Sequence, residues 1–132
     1  MTINHTSIHV PASKRLTVVA WYEAALKPLG YKKTTTFGPN EEVVGFGDSA
    51  AISDWWVMGF TDDATYTSHH AFSAKDRATV DVFYQAAIAA GGKDNGAPGL
   101  RSYHPNYYAA FVLDPAGNNI EVVCHDPIEG AD

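Results

Sequence analysis

Residues 18–29 read VVAWYEAALKPL, and residues 80–91 repeat the pattern as VDVFYQAAIAAG. In both stretches, apolar residues recur at the i, i+3, i+4, i+7 and i+8 spacing that builds one face of an amphipathic helix. A glycine, Gly30 or Gly91, ends each helix pattern. The segment ahead of each helix is also repeated, since HTSIHV at 5–10 returns as HHAFSA at 69–74. The sequence therefore predicts one supersecondary unit that occurs twice.

The residues around each helix predict one strand before it and three strands after it. In the first unit we expect these elements: a strand over 3–10, a helix from Ser13 to about Lys27, and strands over 32–37, 42–47 and 52–58, with a small-residue turn at 48–51. A connector over 59–65 follows. In the second unit we expect a strand over 67–73, a helix opened by a capping box from Ser73 to Asp76, a glycine-rich loop over 91–99, and strands over 100–103, 107–113 and 119–124.

Composition and charge restrict the classes of protein to which this chain can belong. The 132 residues are 45% hydrophobic, which suits one domain over 1–128, with a first module at about 1–60 and a second at about 65–126. The net charge is −6 and no long lysine or arginine cluster occurs, so we expect no nucleic-acid partner. Because the chain has one cysteine, Cys124, and neither a long apolar span nor a signal-peptide pattern, we expect a cytoplasmic protein that does not enter a membrane.

Three sequence features together resemble one family. They are the paired strands of the form H-x-[SA]-[IF], the WYEAAL and FYQAAI helices that end in glycine, and the closing stretch AFVLDPAGNNIEVV at 110–123. These features resemble the vicinal oxygen chelate superfamily, which includes glyoxalase I, extradiol dioxygenases, fosfomycin-resistance thiol transferases and bleomycin-binding proteins. The resemblance runs from residue 3 to about residue 125. It implies an α+β fold in which two tandem βαβββ modules form a curled mixed sheet around a central cleft, and that cleft commonly holds a divalent metal.

Three residues are candidate metal ligands. His5 and His69 occupy equivalent places in the two units, and Glu121 lies in an otherwise apolar strand where an unpaired carboxylate would be costly to bury. A first-row divalent ion that also binds substrate oxygens needs few protein ligands, typically two imidazoles and a carboxylate. By the resemblance, these positions match the ligands of many family members, so we predict that His5, His69 and Glu121 bind Fe, Mn, Ni or Zn. The alternative is that both histidines are ordinary strand residues and Glu121 faces solvent.

A second group of residues is predicted to contact substrate. Glyoxalase I adds a fourth ligand in the last strand of its first module, where this sequence has Trp56, or Asp54 if the register slips. A tryptophan there would instead line the cleft and stack on a substrate ring. The remaining candidates are cleft acids, bases and anion-binding groups: Tyr103, His104 and Tyr108 for proton transfer, and Arg101, Tyr107 and His9 for substrate binding. For the candidates at 101–108, the alternative is a loop in which the aromatic rings only pack against one another.

Three functions remain open at this point. The first is a metal-dependent enzyme on a small-molecule substrate, with isomerase, lyase, thiol transferase or dioxygenase chemistry. The second is a metal-free protein that binds a flat aromatic molecule, as the bleomycin-binding members do. The third is a metal-free enzyme that uses His104 or a tyrosine for proton transfer. The His5, His69 and Glu121 set favours the first, and a homodimer is a further expectation from the habit of the family.

Overall fold

The computed structural model describes residues 3–49, 52–63 and 66–128, and its secondary structure divides into two equivalent modules. The first module is built from these elements: β1 (Thr6–His9), α1 (Arg15–Ala25), β2 (Lys32–Phe37), β3 (Val43–Gly47) and β4 (Trp55–Met58). The second repeats the order as β5 (His69–Ser73), α2 (Arg77–Ala89), β6 (Lys93–Leu100), β7 (Tyr108–Leu113) and β8 (Asn119–Cys124). The predicted pair of tandem βαβββ modules is confirmed. Parts of the predicted turn at 48–51 and of the predicted connector at 59–65 lie outside the described residues.

Each module forms a four-stranded mixed sheet with the same topology. The strand orders are β1-β4-β3-β2 and β5-β8-β7-β6. In each sheet the first and last strands of the module pair in parallel, and the other pairs are antiparallel. Strands β1 and β5 are therefore edge strands, and each has its partner strand on one side only. This places the residues just ahead of β1 and along β5 at the margins of the two sheets.

The helices begin differently from the prediction. A short 3-10 turn at Ala12–Lys14 precedes α1, and Ser13 does not cap the helix through its side chain. At α2, Asp76 is itself the N-cap, because its Oδ1 accepts hydrogen bonds from the backbone N–H and the hydroxyl of Thr79, at 2.8 and 2.6 Å. The predicted capping box that began at Ser73 is therefore wrong, since Ser73 still belongs to β5.

The predicted loop over 91–99 is also wrong, because most of it forms β6. Strand β6 reads KDNGAPGL, and its glycines and proline indicated a loop. However, β6 is an edge strand that pairs with β7 alone, and a proline is tolerated in an edge strand because the unpaired side has no neighbouring strand to bond. The pairing is irregular around Gly96, whose φ is 151°. The strand predicted over 100–103 is wrong as well, because only Leu100 belongs to β6 and residues 101–107 form the connection to β7.

Both modules share one hydrophobic core in which the helices meet. The predicted helix faces are buried, including Trp21 and Tyr22 of α1 and Phe83 of α2, whereas Ile88 is partly exposed. The indole N–H of Trp21 donates to the carbonyl of Ala87 at 2.9 Å, which joins α1 directly to α2. None of the described helices is long and apolar enough to cross a membrane.

Candidate functional site

The clearest polar cluster lies on the face of the second sheet that points away from the helices. His69 and Glu121 project from neighbouring strands, β5 and β8, and their paired alternation puts both side chains on this face. His69 Nε2 lies 2.9 Å from Glu121 Oε1. The hydroxyl of Tyr107, which directly precedes β7, donates to the other carboxylate oxygen, Oε2. A histidine, a glutamate and a tyrosine are thus joined through one carboxylate.

The carboxylate of Glu121 is enclosed, whereas the imidazole of His69 is accessible. The side chain of Glu121 is only 3% exposed, while that of His69 is 53% exposed. Burial and the hydrogen bond to Glu121 raise the pKa of Tyr107 to about 12, so its hydroxyl keeps its proton at neutral pH and acts as a donor. The burial of a carboxylate is costly unless its oxygens are hydrogen-bonded, and here each oxygen has one protein partner.

Aromatic rings surround this cluster. Tyr107 packs edge-on against Tyr103 and His125, with ring centroids 5.2 and 4.8 Å away, and it stacks on His104 at 6.1 Å. On the other side, the ring of Phe111 lies 6.2 Å from that of His69. Tyr103, His104 and Tyr107, three of the predicted substrate-contacting residues, therefore lie beside the His69–Glu121 pair.

Arg101 borders the same face, but its hydrogen bonds are to its own segment. Its guanidinium lies 5.4 Å from the centre of the Phe111 ring, and its Nη2 donates to the carbonyl of Ala97 at 2.8 Å. It forms no ion pair with Glu121, whose only salt-bridge partner among the described residues is His69. Arg101 is therefore a cation at the border of the cluster, held over Phe111 by hydrogen bonds within its own segment.

Tyr108 lies on the opposite face of the sheet from Tyr107. Successive residues of a strand alternate between faces, and Tyr108 shares the helix-side face with buried Ala110 and Val112. Its hydroxyl donates to Asp81 of α2 at 2.6 Å, and the guanidinium of Arg77 lies over its ring. The structure thus separates Tyr108, predicted as a proton-transfer group, from the cluster around Glu121.

His5 lies apart from the cluster but lines a cavity in common with His69. This cavity, of about 610 Å³, lies between the edge strands of the two sheets, and Tyr31, Trp55 and Phe72 form its aromatic wall. His5 is exposed and its Nδ1 lies 2.7 Å from Oδ1 of Asn4. In the part of the chain described here, no group of three or more His, Cys, Asp and Glu side chains is arranged to hold a metal ion. The structure therefore brings two of the three predicted ligands together.

The His69–Glu121 pair fits a divalent ion in both donor type and spacing. An imidazole nitrogen and a carboxylate oxygen are the ligands that first-row divalent ions accept. Two ligand atoms that each lie about 2.1 Å from one ion are about 3 Å from each other when they adjoin in an octahedral site, and about 3.4 Å in a tetrahedral site. The observed separation of 2.9 Å between Nε2 and Oε1 matches the octahedral value. The residues present are thus compatible with a metal, and His5, which lines a cavity in common with His69, is the remaining predicted ligand.

Asp54 and Trp56, the two candidates for a fourth ligand position, line different cavities. Asp54 lines the cavity between the modules, and its Oδ2 accepts a hydrogen bond from the hydroxyl of Tyr31 at 2.8 Å. Trp56 lines a second cavity of about 610 Å³ on the open face of the first sheet, together with Phe37 and His5. His5 is therefore a residue that both cavities share.

The ring of Trp56 is held flat against the first sheet. It stacks on Phe37 at 6.0 Å with an angle of 23° between the ring planes, and its indole N–H donates to the carbonyl of Ser53 at 3.1 Å. Gly45 of β3 lies beneath it, where a Cβ atom would come within 2.8 Å of the indole. His9 is exposed at the end of β1, opposite Met58 on this same face. This face carries an aromatic platform beside His5.

Comparison with known proteins identifies the family. The sequence profile of the Glyoxalase/Bleomycin resistance protein/Dioxygenase superfamily matches residues 2–122. The chain belongs to this superfamily. No functionally curated protein matches the sequence.

Solved structures of this superfamily share the fold. A glyoxalase/bleomycin resistance protein from Albidiferax ferrireducens T118 has a TM-score of 0.71 and 23% identity, with 92% of this chain and 98% of that one covered. A glyoxalase/bleomycin resistance protein/dioxygenase family enzyme from Burkholderia phytofirmans PsJN has a TM-score of 0.70 and 19% identity, covering 96% and 100%. A lactoylglutathione lyase from Agrobacterium tumefaciens has a TM-score of 0.65 and 20% identity, covering 93% and 92%. At these identities the likeness establishes the fold, and function must be argued from the site.

Sequence reasoning missed two residues that adjoin the candidate site residues, His125 beside Tyr107 and Gly45 beneath Trp56. His125 follows β8 at the same alternation as Glu121 and Val123, so the period of two along that strand was a signal that it faces Tyr107. Gly45 had no such signal, because its role depends on a ring that the neighbouring strand lays across it.

Proposed function

We propose that this protein is a metal-dependent enzyme of the glyoxalase/dioxygenase type that acts on a small molecule. A divalent ion, Fe, Mn, Ni or Zn, would be held by His69, Glu121 and His5. The observation that carries the proposal is the buried carboxylate of Glu121 beside the accessible imidazole of His69, at a spacing that suits two ligands of one ion. When bound, such an ion polarises substrate oxygens and stabilises negative charge that develops on them.

The surrounding residues supply the remaining functions. Arg101 would attract an anionic group of the substrate toward Phe111 and His69. His104 and Tyr103, both exposed beside Tyr107, would exchange protons with the substrate. The cavity that His5 and His69 share would exclude part of the solvent from the reacting atoms. His9 lies farther along the open face of the first sheet and would contact only a larger substrate.

The experiment is metal analysis of protein purified without chelator, followed by addition of Fe²⁺, Mn²⁺, Ni²⁺ or Zn²⁺ to the metal-free form. Glu121→Gln should weaken metal binding sharply while the fold survives, because the shape is kept and the only acidic ligand is lost. His5→Ala and His69→Ala should act in the same direction and non-additively. Glu23→Gln is the matched control, since Glu23 lies in an exposed ion pair with Lys33. Folded variants of the three ligands that retain stoichiometric metal would exclude this site.

A second candidate is a metal-free protein that binds a flat aromatic molecule. The specific observation in its favour is the Trp56 platform, which lies on Gly45 beside an open cavity that Phe37, Val43 and Met58 line together with polar side chains. A pocket of this size that combines apolar walls with a few polar groups suits a drug-sized ligand. Bleomycin is a suitable probe, and quenching of tryptophan fluorescence in the wild type but not in Trp56→Phe would support this function. Stoichiometric metal in the wild type, without any bleomycin binding, would reject it.

We also propose that the protein forms a homodimer. Tryptophan, tyrosine and phenylalanine make up 12% of the chain, and large apolar side chains such as Leu16, Phe60 and Leu100 are mostly exposed. Where such side chains form a contiguous patch, a second subunit commonly covers it. Analytical ultracentrifugation at micromolar concentration should show a dimer, and a monomer under those conditions would refute the proposal.

A further inference from the structure

The carboxylate of Glu121 is held from two sides, and only one of those contacts can persist when an ion binds. His69 contacts Oε1 through Nε2, the atom that would itself become a ligand. A metal-bound imidazole nitrogen carries no proton, so this contact ends when the ion binds. Tyr107 donates to Oε2 and is not itself a predicted ligand, so its hydrogen bond is independent of that change.

The ring of Tyr107 is itself fixed by its neighbours. Tyr103 and His125 pack edge-on against it, and His104 stacks on it. The hydroxyl is therefore aimed at Oε2 by a ring that packs against three others. Arg101 cannot take over this role in the observed conformation, because its guanidinium donates to the carbonyls of Ala97 and Leu100.

We propose that Tyr107 is a positioning residue that confines Glu121 to binding the ion through Oε1 alone. A carboxylate can bind a metal through one oxygen or through both, and a donor on Oε2 disfavours the second mode. One more coordination position then stays open for substrate oxygens. This inference rests on the proposed metal-dependent function and names a residue that controls it.

The test uses Co²⁺ as a spectroscopic probe of the metal-free protein. Tyr107→Phe keeps the ring and removes only the hydroxyl, so Oε2 loses its donor inside a nearly closed environment. We expect the Kd for Co²⁺ to rise about 10- to 100-fold, as is typical when a partner of a metal ligand is lost. We also expect the visible absorption bands of bound Co²⁺ to weaken, because a second bound carboxylate oxygen raises the coordination number.

Tyr108→Phe is the matched control. It removes a hydroxyl–carboxylate hydrogen bond of the same kind, to Asp81, from the opposite face of the sheet. We expect its Co²⁺ affinity and spectrum to equal those of the wild type, with thermal unfolding showing that both variants are folded. Any loss of stability by itself would appear in both variants, whereas the altered spectrum belongs to Tyr107→Phe.

Each other outcome overturns the inference in a recognisable way. If Tyr107→Phe binds Co²⁺ with wild-type affinity and spectrum, the positioning role is wrong while the metal site stands. If both variants lose affinity equally, Tyr107 acts only through stability. If the wild type binds no Co²⁺, the proposed metal-dependent function fails together with this inference.

Discussion

Tyr22→Phe tests how the two modules are held together. Tyr22 is fully buried in α1, and its hydroxyl donates at 2.5 Å to Oδ2 of Asp114, which lies just after β7 of the second module. Its ring packs against Trp21 and Trp55, with centroids 4.8 and 5.4 Å away. Because phenylalanine keeps the ring, the substitution removes one hydrogen bond between the modules and little else.

The expected loss follows from what remains at Asp114. This carboxylate is 4% exposed, so water cannot readily replace the lost donor. Oδ1 keeps the backbone N–H groups of Ala116 and Asn118, and Oδ2 keeps the side-chain amide of Asn118. A hydrogen bond to a charged group contributes about 1.5–3 kcal/mol, and with these donors left we expect a loss of about 2 kcal/mol. In a domain of this size Tm should fall by roughly 6–10 °C.

The assay is guanidinium unfolding followed by tryptophan fluorescence, which is suitable because Trp21 and Trp55 adjoin Tyr22. Tyr66→Phe, at a position that is 70% exposed, is the matched control and should change stability by less than about 0.5 kcal/mol. A Tyr22→Phe protein as stable as that control would refute the reasoning.

The effect of Tyr22→Phe should also depend on pH. Burial and the nearby Asp114 raise the pKa of Tyr22 well above its ordinary value of 10.0. The stability that Tyr22 contributes is therefore fully present below pH 10 and is lost as pH rises further, because only the unfolded chain then releases the proton. The difference in stability between wild type and Tyr22→Phe should shrink at alkaline pH. A difference that stays constant to pH 11 would contradict the raised pKa.

Two further substitutions test local features. Gly45→Ala places a Cβ atom 2.8 Å from the Trp56 indole, so it should lower the free energy of unfolding by about 1–3 kcal/mol. It should also change the near-ultraviolet circular dichroism of that ring. An unchanged spectrum would show that Trp56 does not lie on Gly45. Asp76→Ala removes the N-cap of α2 and should lower Tm, whereas Asp76→Asn should retain most of the cap. Hydrogen bonds from Thr79 lower the pKa of Asp76, so the stability that Asp76 contributes is present above its ordinary pKa of 3.8 and is lost as pH falls through the lowered value. Asp76→Asn should therefore make the stability less sensitive to acid. Equal acid sensitivity of the two proteins would oppose this.

The sequence by itself determined the architecture, because the deciding signals are local and occur twice. The period of the two helix stripes depends only on neighbouring residues, and the faces that it predicted bury Trp21, Tyr22 and Phe83, whereas Tyr84 is partly exposed. Glu121 stood out for the same reason, as a charge within an apolar strand. The segment at 93–100 misled the prediction, since glycine and proline indicate a loop unless the strand is an edge, and strand order is not a local property.

Only the tertiary structure decided how the site residues are grouped. Tyr107 and Tyr108 are neighbours of the same type, yet one hydroxyl contacts Glu121 and the other contacts Asp81, because the sheet separates its two faces. His5 and His69 occupy equivalent sequence positions, but the contact with Glu121 is made by His69, whose strand pairs with β8. Such groupings depend on contacts between residues far apart in the chain, which a repeat of local patterns does not encode.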